Sequence, residues 1–141
     1  MAGRILDWIN IRRKNISLKG EDKYGHWWIE ISENGHLFES YGWWPKNPPD
    51  LIDTLTGTEG ELNGQTSYGG TPTTDPHHGD SADEEFHPRL IDDLTDGDVL
   101  NGIRTFAGSY SGEWRWTFGG GQNCHTFQTS LMEYVGLQDP R

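Results

Sequence analysis

Apolar and polar positions alternate along the first third of the chain. Between Asp7 and Leu18, Ile9 and Ile11 and then Ile16 and Leu18 alternate with polar residues, the period of one or two short strands with a single buried face. The runs 25–31 and 36–44 are strand-like and are joined by Ser32-Glu33-Asn34-Gly35, where Asn-Gly supplies the left-handed pair that a tight hairpin turn needs. Period two sets His26, Trp28 and Glu30 on one face of this hairpin and Trp27, Ile29 and Ile31 on the other, the more apolar face.

The period changes at Thr95, a good N-cap. Val99, Leu100, Ile103, Phe106, Ala107 and Tyr110 then form one stripe of a core-facing helix that Gly112 closes. Residues 113–118 alternate as a short extended segment and lead through Gly119-Gly120-Gly121 to a second helix. There Phe127, Leu131 and Val135 recur every four residues from Cys124, Asn123 is the N-cap and Gly136 the stop. Between about 45 and 94 no period is sustained. From Pro45 to Pro88 turn signals follow one another (Asn47-Pro48-Pro49, Asn63-Gly64, Gly69-Gly70-Thr71-Pro72, Asp75-Pro76), with Leu51 to Leu55 and Tyr68 as apolar anchors, so a loop-rich insertion is expected, disordered or loosely packed in preference to a functional lid.

Composition sharpens this picture. A chain of 141 residues suits one domain, and 32% hydrophobic residues with nineteen Gly and seven Trp imply a small core built on large aromatics. Segment 50–98 holds thirteen acids against the single base Arg89, more than the whole of the net charge of −11. That field argues against nucleic acid and anionic membranes as partners, and it makes the acidic loop a candidate surface for a protein partner. Arg12-Arg13-Lys14 is expected to be a solvated strand edge. The N-terminus has no Sec-type leader and no segment a membrane span, which suits a soluble, cytoplasmic chain, and the lone cysteine excludes an intramolecular disulfide. His77, His78, Asp80, Asp83, Glu84, Glu85 and His87 follow no tight helical ligand spacing, so neither a metal site nor a cofactor is assigned.

Candidate chemistry centres on Cys124. In the first turn of a helix its thiol meets the positive end of the dipole and orphan N–H groups, which favour thiolate. A thiol nucleophile also needs an imidazole to move its proton and a third group to orient the ring. Cys124, His26 and Glu39 can fill these roles, because an antiparallel hairpin brings the end of its second strand beside the start of its first. Ser40 or Tyr41 takes the third place in another register, and His36 lies too far away at the turn. The Cys124 backbone N–H and the Gln122 side chain are candidate oxyanion donors. Trp28, Tyr41 and Trp43 are candidate walls of a substrate groove, with Gln122 and Asn123 beside the nucleophile. His125 points about 100° away from Cys124 on the helix. The competing reading makes Cys124 a small buried apolar residue, His26 a strand-end histidine and Glu39 an exposed carboxylate.

Gly25-His26-Trp27-Trp28-Ile29-Glu30-Ile31, followed much later by Tyr110-Ser111-Gly112, a Trp-rich segment and Asn123-Cys124-His125-Thr126-Phe127, resembles the circularly permuted papain-like superfamily. That group includes lecithin retinol acyltransferase-like enzymes, deSUMOylating isopeptidase-like proteins and permuted relatives of NlpC-type peptidoglycan peptidases. The likeness covers residues 23–44 and 99–137. It implies an α+β domain with an antiparallel sheet, an early His strand and a late Cys-bearing helix. It also implies a thiol-dependent hydrolase of amide bonds, in a peptide or peptidoglycan stem peptide, with acyl transfer open to the same residues. His125 stands where family members often carry Glu or another polar residue, and the position of their second His falls at or near Glu39. The alternative is a non-catalytic binding or structural module of a phage or secretion apparatus that keeps the fold.

Overall fold

The computed structural model describes residues 3–17, 23–50, 52, 56–91, 93–115 and 123–140. Over these residues the chain is an α+β fold of open antiparallel sheets, with two helices described in full. Its strands are β1 (Arg4–Ile5), β2 (Ile9–Ser17), β3 (Lys23–Glu33), β4 (His36–Tyr41), β5 (Trp43–Pro45), β6 (Thr58–Leu62), β7 (Glu84–Phe86), β8 (Arg89–Leu90), β9 (Glu113–Trp114) and β10 (Leu137–Gln138). Helix α1 spans Asp96–Ser109 and α2 spans Cys124–Val135. Three sheets run in the orders β4-β3-β2-β7, β1-β8-β10 and β5-β6-β9.

The hairpin expected from Asn34-Gly35 is β3–β4, with Asn34 at φ 52 and Gly35 at φ 80. The apolar face of the large sheet, Ile9, Ile11, Ile29 and Ile31, meets Val99, Ile103 and Ala107 of α1 and Phe127, Leu131 and Val135 of α2 in one buried cluster. Both helices start as the sequence directs. Thr95 closes a capping box with Asp98, and the Asn123 side chain accepts from the His125 and Thr126 N–H groups. Helix α1 ends at Ser109 rather than running to Gly112, whereas Gly136 closes α2 in the left-handed conformation at φ 73. Aromatics fill the space between helices and β5: the Phe127 ring lies 4.9 Å from Tyr110, edge-on, and 6.1 Å from Trp43, stacked.

The acidic segment departs most from expectation. It supplies β6, β7 and β8, and residues 63–80 cover the second face of the large sheet. Its anchors are polar, which is why an apolar pattern misses them. Asn63, fully buried, accepts from the Gly42 N–H at 2.9 Å and donates to Ser40 O at 3.2 Å and Thr71 O at 2.9 Å. The Ser40 N–H donates to Thr73 O, the Asp75 N–H to Ser40 Oγ at 2.7 Å, and the Gly79 N–H to Glu30 Oε2 at 2.9 Å. Strand β7 then lies along β2 in a register that sets Glu85 opposite Arg12 and Glu84 opposite Arg13, with ion pairs at 2.8 and 3.5 Å. Pairs whose carboxylates are exposed, as here, contribute little stability, but they favour the strand edge that β7 takes. The basic cluster of β2 is thus partly neutralised within the chain. Arg12 also reaches buried Glu30 at 3.3 Å and is only 19% exposed, so it is not a solvated edge residue. No helix among the described residues is long and apolar enough to cross a membrane.

Candidate active site

Helix α2 begins against an uncovered stretch of β3. Strand β4 pairs with β3 from Ile29 to Glu33, and among the described residues no strand pairs with Gly25–Trp28 on that side. Cys124 takes it up: the Trp27 N–H donates to Sγ at 3.4 Å, and the thiol donates to Gly25 O at 3.4 Å. The sulfur therefore touches the backbone on both sides of His26 while remaining fully buried. Burial pushes the thiol from its ordinary value near 9 up to about 12. The Trp27 N–H opposes that shift, the Asp75 charge adds to it, and the N–H groups of His125 and Cys124 itself oppose it. The lowering expected from a helix N-terminus is overturned, because the dipole contributes about 0.3–2 kcal/mol while burial costs more here.

Stability should consequently fall as pH rises. A thiol whose folded value lies above its unfolded one contributes fully below about pH 9 and loses that contribution as pH climbs to about 12. The thiol's expected share of the slope is about 1.4 kcal/mol per pH unit in that window, and Cys124→Ala should remove that share and leave the one due above about pH 10 to the Tyr41 and Tyr68 hydroxyls, which burial also raises. Urea unfolding of the two proteins between pH 8 and 11 is the check. Parallel curves would mean that Cys124 is not the source.

His26 is fully buried on the opposite face of β3 from Trp27, in the company of Trp28 as the alternation requires. Its ring stacks on Trp28 at 5.6 Å and leans on Trp44 at 4.2 Å. Its Nε2 lies 3.0 and 3.2 Å from the two oxygens of Asp75. That carboxylate also accepts from Trp44 Nε1 at 2.7 Å and from the His77 N–H at 2.9 Å. Burial raises the Asp75 carboxyl, but the His26 charge and these hydrogen bonds outweigh it, so its value lies below the ordinary carboxylate range. His78 Nδ1 at 2.8 Å from Ser40 Oγ, and His77 Nδ1 at 2.9 Å from Asp80, tie down the loop around this carboxylate.

The carboxylate on His26 is thus Asp75 and not Glu39. An unbulged hairpin around Asn34-Gly35 sets Glu39 opposite Glu30, on the His26 face. A bulge between Ile31 and Ser32 shifts the register by one, so Glu39 pairs with Ile31 and Ser40 with Glu30. Glu39 turns to α1, where it accepts from Arg104 Nε at 2.9 and 3.2 Å, from Arg104 Nη2, and from the Tyr41 hydroxyl at 2.6 Å. Burial raises its carboxyl, but Arg104 and Tyr41 hold it below the ordinary value. Ser40, on the His26 face, supports the Asp75 backbone rather than the ring. His36 is exposed at the turn.

Trp28, Tyr41 and Trp43 are 0, 5 and 2% exposed. They pack the interior and do not wall a groove, because the loop and the helices cover both faces of the hairpin. Asn123 is engaged as the cap and donates to Arg115 O at 3.2 Å. Gln122 lies outside the described residues. Trp27, by contrast, is half-buried and stacks on His125 at 5.1 Å. The only sequence sign of Asp75 is the Asp-Pro-His turn in which its Oδ1 takes the His77 N–H. That local pattern says nothing about His26, 49 positions away.

The chain matches no family model, no curated protein and no solved structure.

Proposed function

We propose that the chain is a thiol-dependent hydrolase of amide bonds in a permuted papain-like arrangement, with a peptide or peptidoglycan stem peptide as substrate. The observation that carries it is the buried His26–Asp75 pair at 3.0 Å, set on the strand whose backbone Cys124 Sγ touches on either side of His26. An imidazole oriented at Nε2 by a carboxylate keeps one tautomer and stabilises the imidazolium that forms, so Nδ1 is the proposed base, although at rest the thiol donates to Gly25 O and not to this nitrogen. In the proposed sequence His26 takes the Cys124 proton and Sγ attacks the amide carbonyl. The Cys124 N–H at the helix start faces the developing oxyanion. His26 then protonates the departing amine, and water attacking the thioester restores the thiol, with His26 as base. Transfer of the acyl group to an amine or alcohol uses the same steps. Since Sγ is buried, catalysis includes a step that makes it accessible.

A second reading, a binding or structural module with an inert cysteine, is favoured by that burial and by the thiol value of about 12. A peptidyl electrophile separates the two. A hydrolase should label Cys124 at pH 7, and His26→Ala should slow labelling by about 100-fold or more. Asp75→Asn should slow it less. Labelling that needs unfolding, or that follows a simple thiol titration with no dependence on His26, overturns the hydrolase.

A further inference from the structure

A groove of about 320 Å³ runs beside the nucleophile, between α2, the β2–β7 edge and β10, walled by Ile11, Trp27, Phe86, Met132 and Leu137. This volume falls at the lower end of the range of small-ligand sites, room for one ring side chain. Gln128 also lines it and is 2% exposed. Its Nε2 donates to Tyr41 O at 2.9 Å, which fixes the orientation of the amide, since the opposite one would set oxygen against oxygen. Its Oε1 is buried and has no hydrogen-bond partner among the described residues. A buried acceptor left in this condition costs about 1–3 kcal/mol, so an occupant that donates to it recovers that energy. The groove lies one residue away from buried Cys124, because the Trp27 that walls it donates its N–H to Sγ and His125 on its rim follows Cys124 in the chain.

We infer that this groove is a binding subsite for an aromatic side chain carrying one hydrogen-bond donor, of which indole is the type, with the donor on Gln128 Oε1. Its role as the substrate-side-chain subsite rests on the hydrolase reading; binding itself does not. Apolar walls select the ring, and the buried Gln128 acceptor selects a ring with a donor over one without, while other polar lining residues, Thr129, Gln138 and Asp139, lie at the groove's polar side.

The test is titration of the full chain, and of Cys124→Ala, with N-acetyltryptophanamide and its 1-methylindole counterpart, followed by NMR shifts of α2 amides. Saturable binding is expected in both proteins, weakened about tenfold or more by methylation of the indole nitrogen. Met132→Trp, which fills the groove from its partly exposed side and leaves Gln128 in place, should abolish binding with the fold intact by circular dichroism. Equal affinity for the methylated ligand, binding that survives Met132→Trp, or no saturable binding overturns the inference. Indole binding together with failure of electrophile labelling removes the hydrolase and leaves the subsite. Labelling of Cys124 without indole binding removes the subsite alone.

Discussion

Asp75→Ala is expected to lower folding stability by about 3–5 kcal/mol, the usual cost of removing a buried carboxylate from the donors hydrogen-bonded to it. The truncation strands His26 Nε2, the Trp44 indole N–H and the His77 N–H beneath the loop, each without its acceptor. A domain of this size has about 5–15 kcal/mol in total, so the variant should lose a large share of its stability. Asp75→Asn keeps one acceptor oxygen, enough for the Trp44 indole N–H or the His77 N–H but not both, and should cost less than the alanine. The His26→Ala, Asp75→Ala double variant should cost less than the two single losses together, since each single change leaves the other group unpaired. Because the folded carboxyl lies below its ordinary value near 3.8, its contribution is full above that pH and is lost as pH falls through the depressed value. Urea denaturation at pH 7 and pH 3 measures both effects. A loss below 1 kcal/mol at pH 7 would show that the loop is held by something other than this carboxylate.

Gly42→Ala is expected to have the next largest effect, about 2–3 kcal/mol or more, with loss of the His26–Asp75 contact. A Cβ at Gly42 would lie 2.2 Å from Asp75 Oδ2 and 3.1 Å from His26 Cε1. The carboxylate cannot swing aside, because it is held by the Trp44 and His77 donors as well as by His26. Glycine is therefore required here by the close approach of a side chain. Gly108→Ala is the control: it sits exposed in α1 with nothing within 4 Å of an added Cβ, and it should raise stability by about 0.5–1 kcal/mol. Thermal unfolding of the two variants, together with the ring-proton shifts of His26, decides the matter. Unchanged His26 shifts in Gly42→Ala would place Asp75 elsewhere.

Local rules sufficed for the β3–β4 hairpin and for the two helices, since a turn pair, an N-cap and a stripe of apolar residues are properties of neighbouring positions. They also put His26, Trp28 and Glu30 on one face of β3, and Cys124 at the start of α2. Four outcomes needed the tertiary structure. The bulge after Ile31 is not signalled by the Asn34-Gly35 turn, and it moved Glu39 from the His26 face to Arg104. The acidic segment is held by Asn63, Ser40 and Glu30, whose hydrogen bonds span long separations and leave no hydrophobic period to read. Asp75 looks like one more loop acid until Trp44, His77 and His26 converge on it. The Cys124 thiol is governed by total burial, which outweighs the local pull of the helix N-terminus and is a property of the packed chain alone.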